Sequence, residues 1–116
     1  KKYQSNTLVL GSLNYTRDWS YARDISEGIF KINTEGSSNA YILGSGIGHT
    51  IKDVVEIVFK AFNLNFEEYV RIDESLIRGG DPKKIVSNPS KIKEELNWFT
   101  TVSFEELIGI CINSRL

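Results

Sequence analysis

The residues of this chain best suited to chemistry stand in one short run, Arg78-Gly79-Gly80-Asp81-Pro82. Arginine presents a planar fork of N–H donors that matches phosphate, and a carboxylate accepts bonds from sugar hydroxyls. Held on a tight loop, the two could read the polar ends of a nucleotide diphosphate. Glycines let such a loop turn sharply or approach a ligand closely, because they carry no Cβ. The same run also reads as a plain surface turn with solvated charges, since glycine pairs are common punctuation. On its own the loop leaves both readings open.

Other chemistry is poorly supplied. His49 is the only histidine and Cys111 the only cysteine, far apart in sequence. A zinc site wants about four clustered nitrogen or sulfur ligands, so no metal site is expected. A Ser-His-Asp or Cys-His arrangement would have to use His49, which stands in a loop just before a helix and needs no catalytic explanation there. The run Gly44-Ser45-Gly46-Ile47-Gly48 has the look of a phosphate-binding turn. It lacks the last glycine of GxGxxG, and no acid follows a second strand, so a strand-to-helix connector is the expected reading.

The bulk composition fits one ordinary globular domain. The 116 residues are 41% apolar and 25% charged, with a net charge of −1. That balance gives no footprint for nucleic acid or an anionic membrane surface. No apolar run approaches the ~20 residues needed to span a bilayer. A lone cysteine favours a reducing cytoplasm. A start at Lys1 and the absence of methionine suggest a piece cut from a longer protein.

The elements that must position the loop follow from pattern. Lys1 to Asn6 reads as a polar lead-in, and Thr7-Leu8-Val9-Leu10 as a short buried strand ended by Gly11. If residues 17–21 are extended, Arg17 and Trp19 share a side and Asp18 faces the other. A helix is predicted over 22–32, with Ile25, Gly28, Ile29 and Ile32 on one face, then a turn over 35–39. Ala40-Tyr41-Ile42-Leu43 reads as a second strand. Thr50 with Asp53 makes a capping box for a helix to Phe62, whose apolar face is expected to be core. Residues 69–73 alternate like a strand, and Ile85-Val86 reads as a brief edge strand. Asn88 and Pro89 suit the N-cap and first position of a helix through Leu96. Ser103 and Glu106 form a second capping box, opening the last helix. The fold class is α/β, with short strands and about four helices.

Several of these segments, in this order, resemble one family. Leu10-Gly11-Ser12-Leu13-Asn14, then Arg17-Asp18-Trp19-Ser20-Tyr21-Ala22-Arg23-Asp24, are similar to the GDP-mannose dehydratase group of sugar-nucleotide enzymes, within the extended short-chain dehydrogenase/reductases. Tyr69-Val70-Arg71-Ile72-Asp73 continues the match, as does Arg78 with Asp81. So do Asn88-Pro89-Ser90-Lys91, Leu96-Asn97-Trp98 and the run from Thr101 to Leu107. The resemblance covers nearly the whole chain, as the C-terminal substrate domain of such an enzyme without its Rossmann half.

The resemblance implies roles. Arg17 and Arg78 would bind the diphosphate of a nucleotide sugar, and Asp81 the ribose. Asp18 would fix loop backbone, and Asp24 would sit near a helix start, where negative charge is favoured. The parent would be an NAD(P)-dependent 4,6-dehydratase or epimerase and a homo-oligomer, with this domain packed on its own N-terminal Rossmann half. Neither the glycine motif for the cofactor nor the catalytic Tyr-Lys pair is present here, since Tyr21, Tyr41 and Tyr69 are followed four residues on by Ile25, Ser45 and Asp73. Residues 1–116 are therefore expected to be a single binding domain with no catalytic residue of their own. Gly79 replaces the proline usual after the loop arginine, Asp81 is the acid of the epimerase branch, and Asn97 replaces the glycine usual before Trp98. UDP- and CDP-sugars therefore stand beside GDP-sugars as expected ligands. A scaffold that has lost its ligand and serves only for interaction is the alternative from another class.

Overall fold

In chain order the elements are β1 (Leu8–Leu10), β2 (Thr16–Arg17), α1 (Ala22–Glu35), β3 (His49–Thr50), α2 (Ile51–Ala61), β4 (Val70–Ile72), α3 (Ser90–Leu96) and α4 (Phe104–Asn113). One-turn 3-10 helices lie at Phe66–Glu68 and Glu74–Leu76. The computed structural model describes residues 6–37 and 40–115, so most of the polar lead-in and part of the 35–39 turn lie outside them. The expected α/β class with four helices is what forms. Its sheets are minimal: β1 pairs with β4 in parallel, Leu8 opposite Val70, and β2 pairs with β3 antiparallel, Arg17 opposite His49.

Local signals place the helix starts well. The Thr50 side chain accepts from the Asp53 N–H at 3.1 Å, and the Asp53 carboxylate accepts from the Thr50 N–H at 2.8 Å. Ser103 and Glu106 repeat the arrangement at α4. At α3 the cap position falls on Pro89 rather than on Asn88, and the Asn88 side chain, one residue earlier, accepts from the Ser90 N–H at 3.2 Å. Asn97 ends α3 at φ 52°, a left-handed conformation that asparagine tolerates.

Several pattern readings need correction. Residues 40–43 are not a strand, because no neighbouring strand offers them a ladder, and Tyr41 and Leu43 instead pack on the core. The edge strand expected at Ile85-Val86 is a single bridge one residue earlier, Lys84 against Thr16. Helix α1 runs on to Glu35, and its buried positions are Asp24 and Gly28, while Ile29 is exposed. In α2 only Val55 is buried, and Phe62 at its end is exposed.

The core is small. Ile92, Leu96 and Trp98 are buried together, with Ile25, Ile32, Tyr41 and Leu43 around them. Helix α1 crosses Trp98 at Gly28, where an added Cβ would lie 2.9 Å from Cε2 of the indole and 2.7 Å from a Leu43 methyl. Asp24, 3% exposed, joins this core to the chain beyond it. Its carboxylate accepts from the Thr101 N–H (2.9 Å), the Thr101 hydroxyl (2.7 Å) and the Val102 N–H (3.2 Å). Its carbonyl accepts from the Trp98 indole N–H at 3.1 Å. Burial raises the carboxyl pKa, but the bonds from Thr101 and Val102, aided by the Arg23 charge, outweigh it and hold the group below its ordinary value. Asp24 is thus a clamp across the fold, more than the helix-start charge expected of it.

The rest of the molecule is thin. Its radius of gyration is 17.2 Å, against about 13 Å for a compact chain of this length. Successive strand residues face opposite sides, yet Leu8 is 43% and Val9 48% exposed. Both faces of β1 are therefore uncovered, unusual for a parallel pair. Among the described residues no helix is long and apolar enough to cross a membrane.

Two outcomes are expected from the core geometry. Gly28→Ala should destabilise the protein by about 1–3 kcal/mol in denaturant unfolding, because the indole has no room to retreat. A cost near zero would show slack at this crossing. The depressed Asp24 pKa means its stabilisation is complete above the ordinary aspartate value of about 3.9 and fades as pH falls through the folded value. Wild-type stability should drop below about pH 4 more steeply than that of Asp24→Asn, which takes up no proton there; parallel acid limbs would contradict the assignment.

Candidate functional site

Backbone hydrogen bonds bring the Arg78 loop to Arg17. Where β1 and β4 end, the Asp73 N–H donates to the Leu10 carbonyl at 2.8 Å. The Asp73 carboxylate then accepts from the Ser75 hydroxyl (2.6 Å) and N–H (3.0 Å), which turns the chain over and keeps this carboxyl below its ordinary pKa. Further on, the Thr16 N–H donates to the Lys83 carbonyl at 2.8 Å, and the Ile85 N–H to the Thr16 carbonyl at 3.0 Å. The loop is thus tied to β1 at one end and to β2, one residue from Arg17, at the other.

Within the loop the Asp81 N–H reaches the Arg78 carbonyl at 3.4 Å, and Gly80 has φ 84°. A positive φ at the third of four residues is what a type II turn requires. The turn therefore presents Arg78 and Asp81 at its two ends. Arg17, Arg78 and Asp81 all line one open cleft of about 210 Å³. Leu10, Tyr15, Ile51 and Ile77 supply its apolar wall. It lies at the carboxyl end of a parallel strand pair, where open α/β sheets usually place ligands.

The charges in this cleft are not spent on one another. Arg17 donates to the Thr16 carbonyl at 2.8 Å, and its guanidinium carbon lies 5.5 Å from the centre of the Tyr15 ring. Among the described residues neither Arg17 nor Arg78 forms an ion pair; Arg23–Glu27 and Lys52–Glu56 pair elsewhere. Two unneutralised guanidinium groups and a carboxylate bordering an apolar wall suit a bound anion with hydroxyls. Tyr15 escaped the sequence reading, although period-two spacing from Arg17 puts it on the same side of an extended segment.

The other sequence candidates serve the frame. His49 is in strand β3 rather than a loop, and its ring stacks on Phe104 with centres 3.8 Å apart and planes 6° from parallel. The glycine run is filled by the protein's own carboxylate. Asp18 accepts from the N–H groups of Ser45 (3.2 Å) and Gly46 (2.9 Å), and a Cβ at Gly44 would lie 2.2 Å from the Ser87 hydroxyl oxygen. The run is a connector, though it leads from an irregular segment into β3 and α2 rather than from a strand, and the amides of Ser45 and Gly46 already have their anion. Among the described residues no cluster of three or more metal-ligating side chains occurs.

Comparison with known proteins gives a consistent picture. Residues 1–110 match the family model described as GDP-mannose 4,6 dehydratase. GDP-mannose 4,6 dehydratase 2 of Arabidopsis thaliana is 30% identical over 109 residues, covering 94% of this chain. The chain spans only 29% of that relative's length. The fold matches that of RMD from Pseudomonas aeruginosa, solved with NADPH, at a TM-score of 0.82 and 16% identity, over 97% of this chain and 38% of that one. It also matches UDP-glucose 4-epimerase from Thermotoga maritima, solved with UDP-glucose, at a TM-score of 0.78 and 22% identity, over 92% and 34%.

The two loop glycines should respond differently to alanine. A Cβ at Gly79 or Gly80 meets nothing within 4 Å, but only Gly80 has a positive φ. Gly79→Ala should leave unfolding within about 0.5 kcal/mol of wild type, and Gly80→Ala should cost about 1 kcal/mol. Equal effects would mean the turn is not held in this conformation.

Proposed function

The chain belongs to the GDP-mannose 4,6-dehydratase family, and from that premise we propose that it is the substrate-binding part of an NAD(P)-dependent sugar-nucleotide dehydratase. The observation that carries the reading is the convergence of Arg17, Arg78 and Asp81 on one cleft. Arg17 and Arg78 hold the diphosphate of a nucleotide sugar, each by charge-assisted hydrogen bonds. Asp81 accepts from the ribose hydroxyls. Leu10, Tyr15 and Ile77 cover the apolar faces of the nucleoside.

The chemistry on the sugar belongs to the remainder of the enzyme. A nicotinamide cofactor supplies hydride acceptance and return when bound, but the residues here do not fit one. The glycine run that could cradle its phosphates donates its amides to Asp18 instead. A Rossmann half of the same polypeptide would carry the cofactor and the Tyr-Lys pair. The uncovered faces of β1 are a surface on which it could pack.

Titration of the full-length protein with GDP, UDP, CDP and their sugars tests the reading and identifies the base. Saturable binding is expected, weakened by about 1.5–3 kcal/mol in Arg17→Ala and in Arg78→Ala, the worth of a charged hydrogen bond. If neither substitution changes the affinity, the cleft is not the binding site and an interaction scaffold is the better account.

A further inference from the structure

We propose that Asp18 is a positioning residue, which keeps Arg17 available to an anionic ligand by committing its own carboxylate to neutral donors. The proposal rests on the reading of Arg17 as a diphosphate ligand. Arg17 and Asp18 are adjacent and of opposite charge, so a freed Asp18 would be the nearest competitor for that guanidinium. The fold prevents the competition by filling both carboxylate oxygens of Asp18 with other donors.

The filling is complete and local. Oδ1 accepts from the N–H of Ser45 at 3.2 Å and from its hydroxyl. Oδ2 accepts from the N–H of Gly46 at 2.9 Å, the N–H of Ser87 at 3.2 Å and the Ser87 hydroxyl. None of these donors is charged, so the negative charge is stabilised without consuming a cation. Burial raises the Asp18 pKa, but the bonds from Ser45, Ser87 and Gly46 more than offset it and keep the group ionised at neutral pH.

The donors also grip the strand that carries Arg17. Ser45 and Gly46 precede β3, which pairs Arg17 with His49. Ser87 follows the segment that pairs with Thr16. Gly44 makes this convergence possible, because any Cβ there would collide with Ser87. One carboxylate therefore draws two loops onto the flanks of the Arg17 backbone. Loss of its donors would loosen β2 and release a carboxylate beside the guanidinium at once.

The test uses Ser45→Ala and Ser87→Ala in the full-length protein, each made in the wild-type and the Arg17→Ala background. GDP and UDP are the probes, with guanosine and uridine as controls that have no phosphate. Each serine substitution should weaken diphosphate binding by about three- to tenfold, the worth of a hydrogen bond, and leave nucleoside affinity unchanged. In the Arg17→Ala background it should have no further effect. Equal losses for nucleoside and diphosphate, equal losses in both backgrounds, or wild-type binding by both serine variants would each overturn the positioning role. If Arg17→Ala itself binds GDP and UDP like wild type, the underlying diphosphate reading fails instead, and the two failures are thereby told apart.

Discussion

A buried negative charge with no buried cation beside it is the constraint around which this fold is arranged. Asp24 sits within the first turn of α1 and is almost wholly enclosed. Enclosing a carboxylate costs several kcal/mol unless hydrogen bonds replace its water. Here they come from Thr101 and Val102, near the other end of the chain. The same residue's carbonyl takes the indole N–H of Trp98, which fixes the largest side chain of a three-residue core. With so little apolar burial, the polar clamp decides where α1 lies against α3, and with it where the segment carrying Arg17 begins.

Two arginine–aspartate pairs stand six residues apart and behave alike. In each the aspartate turns inward to backbone and hydroxyl donors, while the arginine turns outward. Arg23 meets Glu27 at 3.4 Å on an exposed helix face, a contact of small energetic worth. Arg17 meets only a carbonyl and an aromatic ring, on the wall of a cleft. One local pattern thus yields a surface ion pair in one place and an unneutralised cation in another. The difference comes from the element each pair occupies, a helix with a partner one turn on or a strand without one.

Features written within four residues of sequence were legible, and features made by distant pairing were not. Both capping boxes could be read because donor and acceptor are three residues apart. The left-handed Asn97 could be read as a cap for the same local reason. Asp18 was expected to fix loop backbone, but nothing nearby says that its partners are Ser45, Gly46 and Ser87. Residues 40–43 had a strand's composition and lacked only a neighbour, which no single segment can reveal. Ile29 and Phe62 were assigned to packed faces, and both are exposed because α1 and α2 are covered on less of their surface than their apolar pattern supposes. Arg78 and Asp81 were nominated by the residue types of their own loop, Arg17 was reached through family resemblance, and Tyr15 became visible only once the cleft had walls.

The loop that carries Arg78 is held by main-chain bonds at both ends, through Leu10 on one side and Thr16 on the other. Peptide groups make such bonds whatever side chains they bear. Residues 74–82 are exposed throughout, so their identities are scarcely constrained by packing. The ends of the loop are therefore fixed by main-chain bonds, while its contact surface is made by exposed side chains. Apart from Gly80, whose positive φ the turn needs, substitutions along it can change what the turn touches while the frame stays in place.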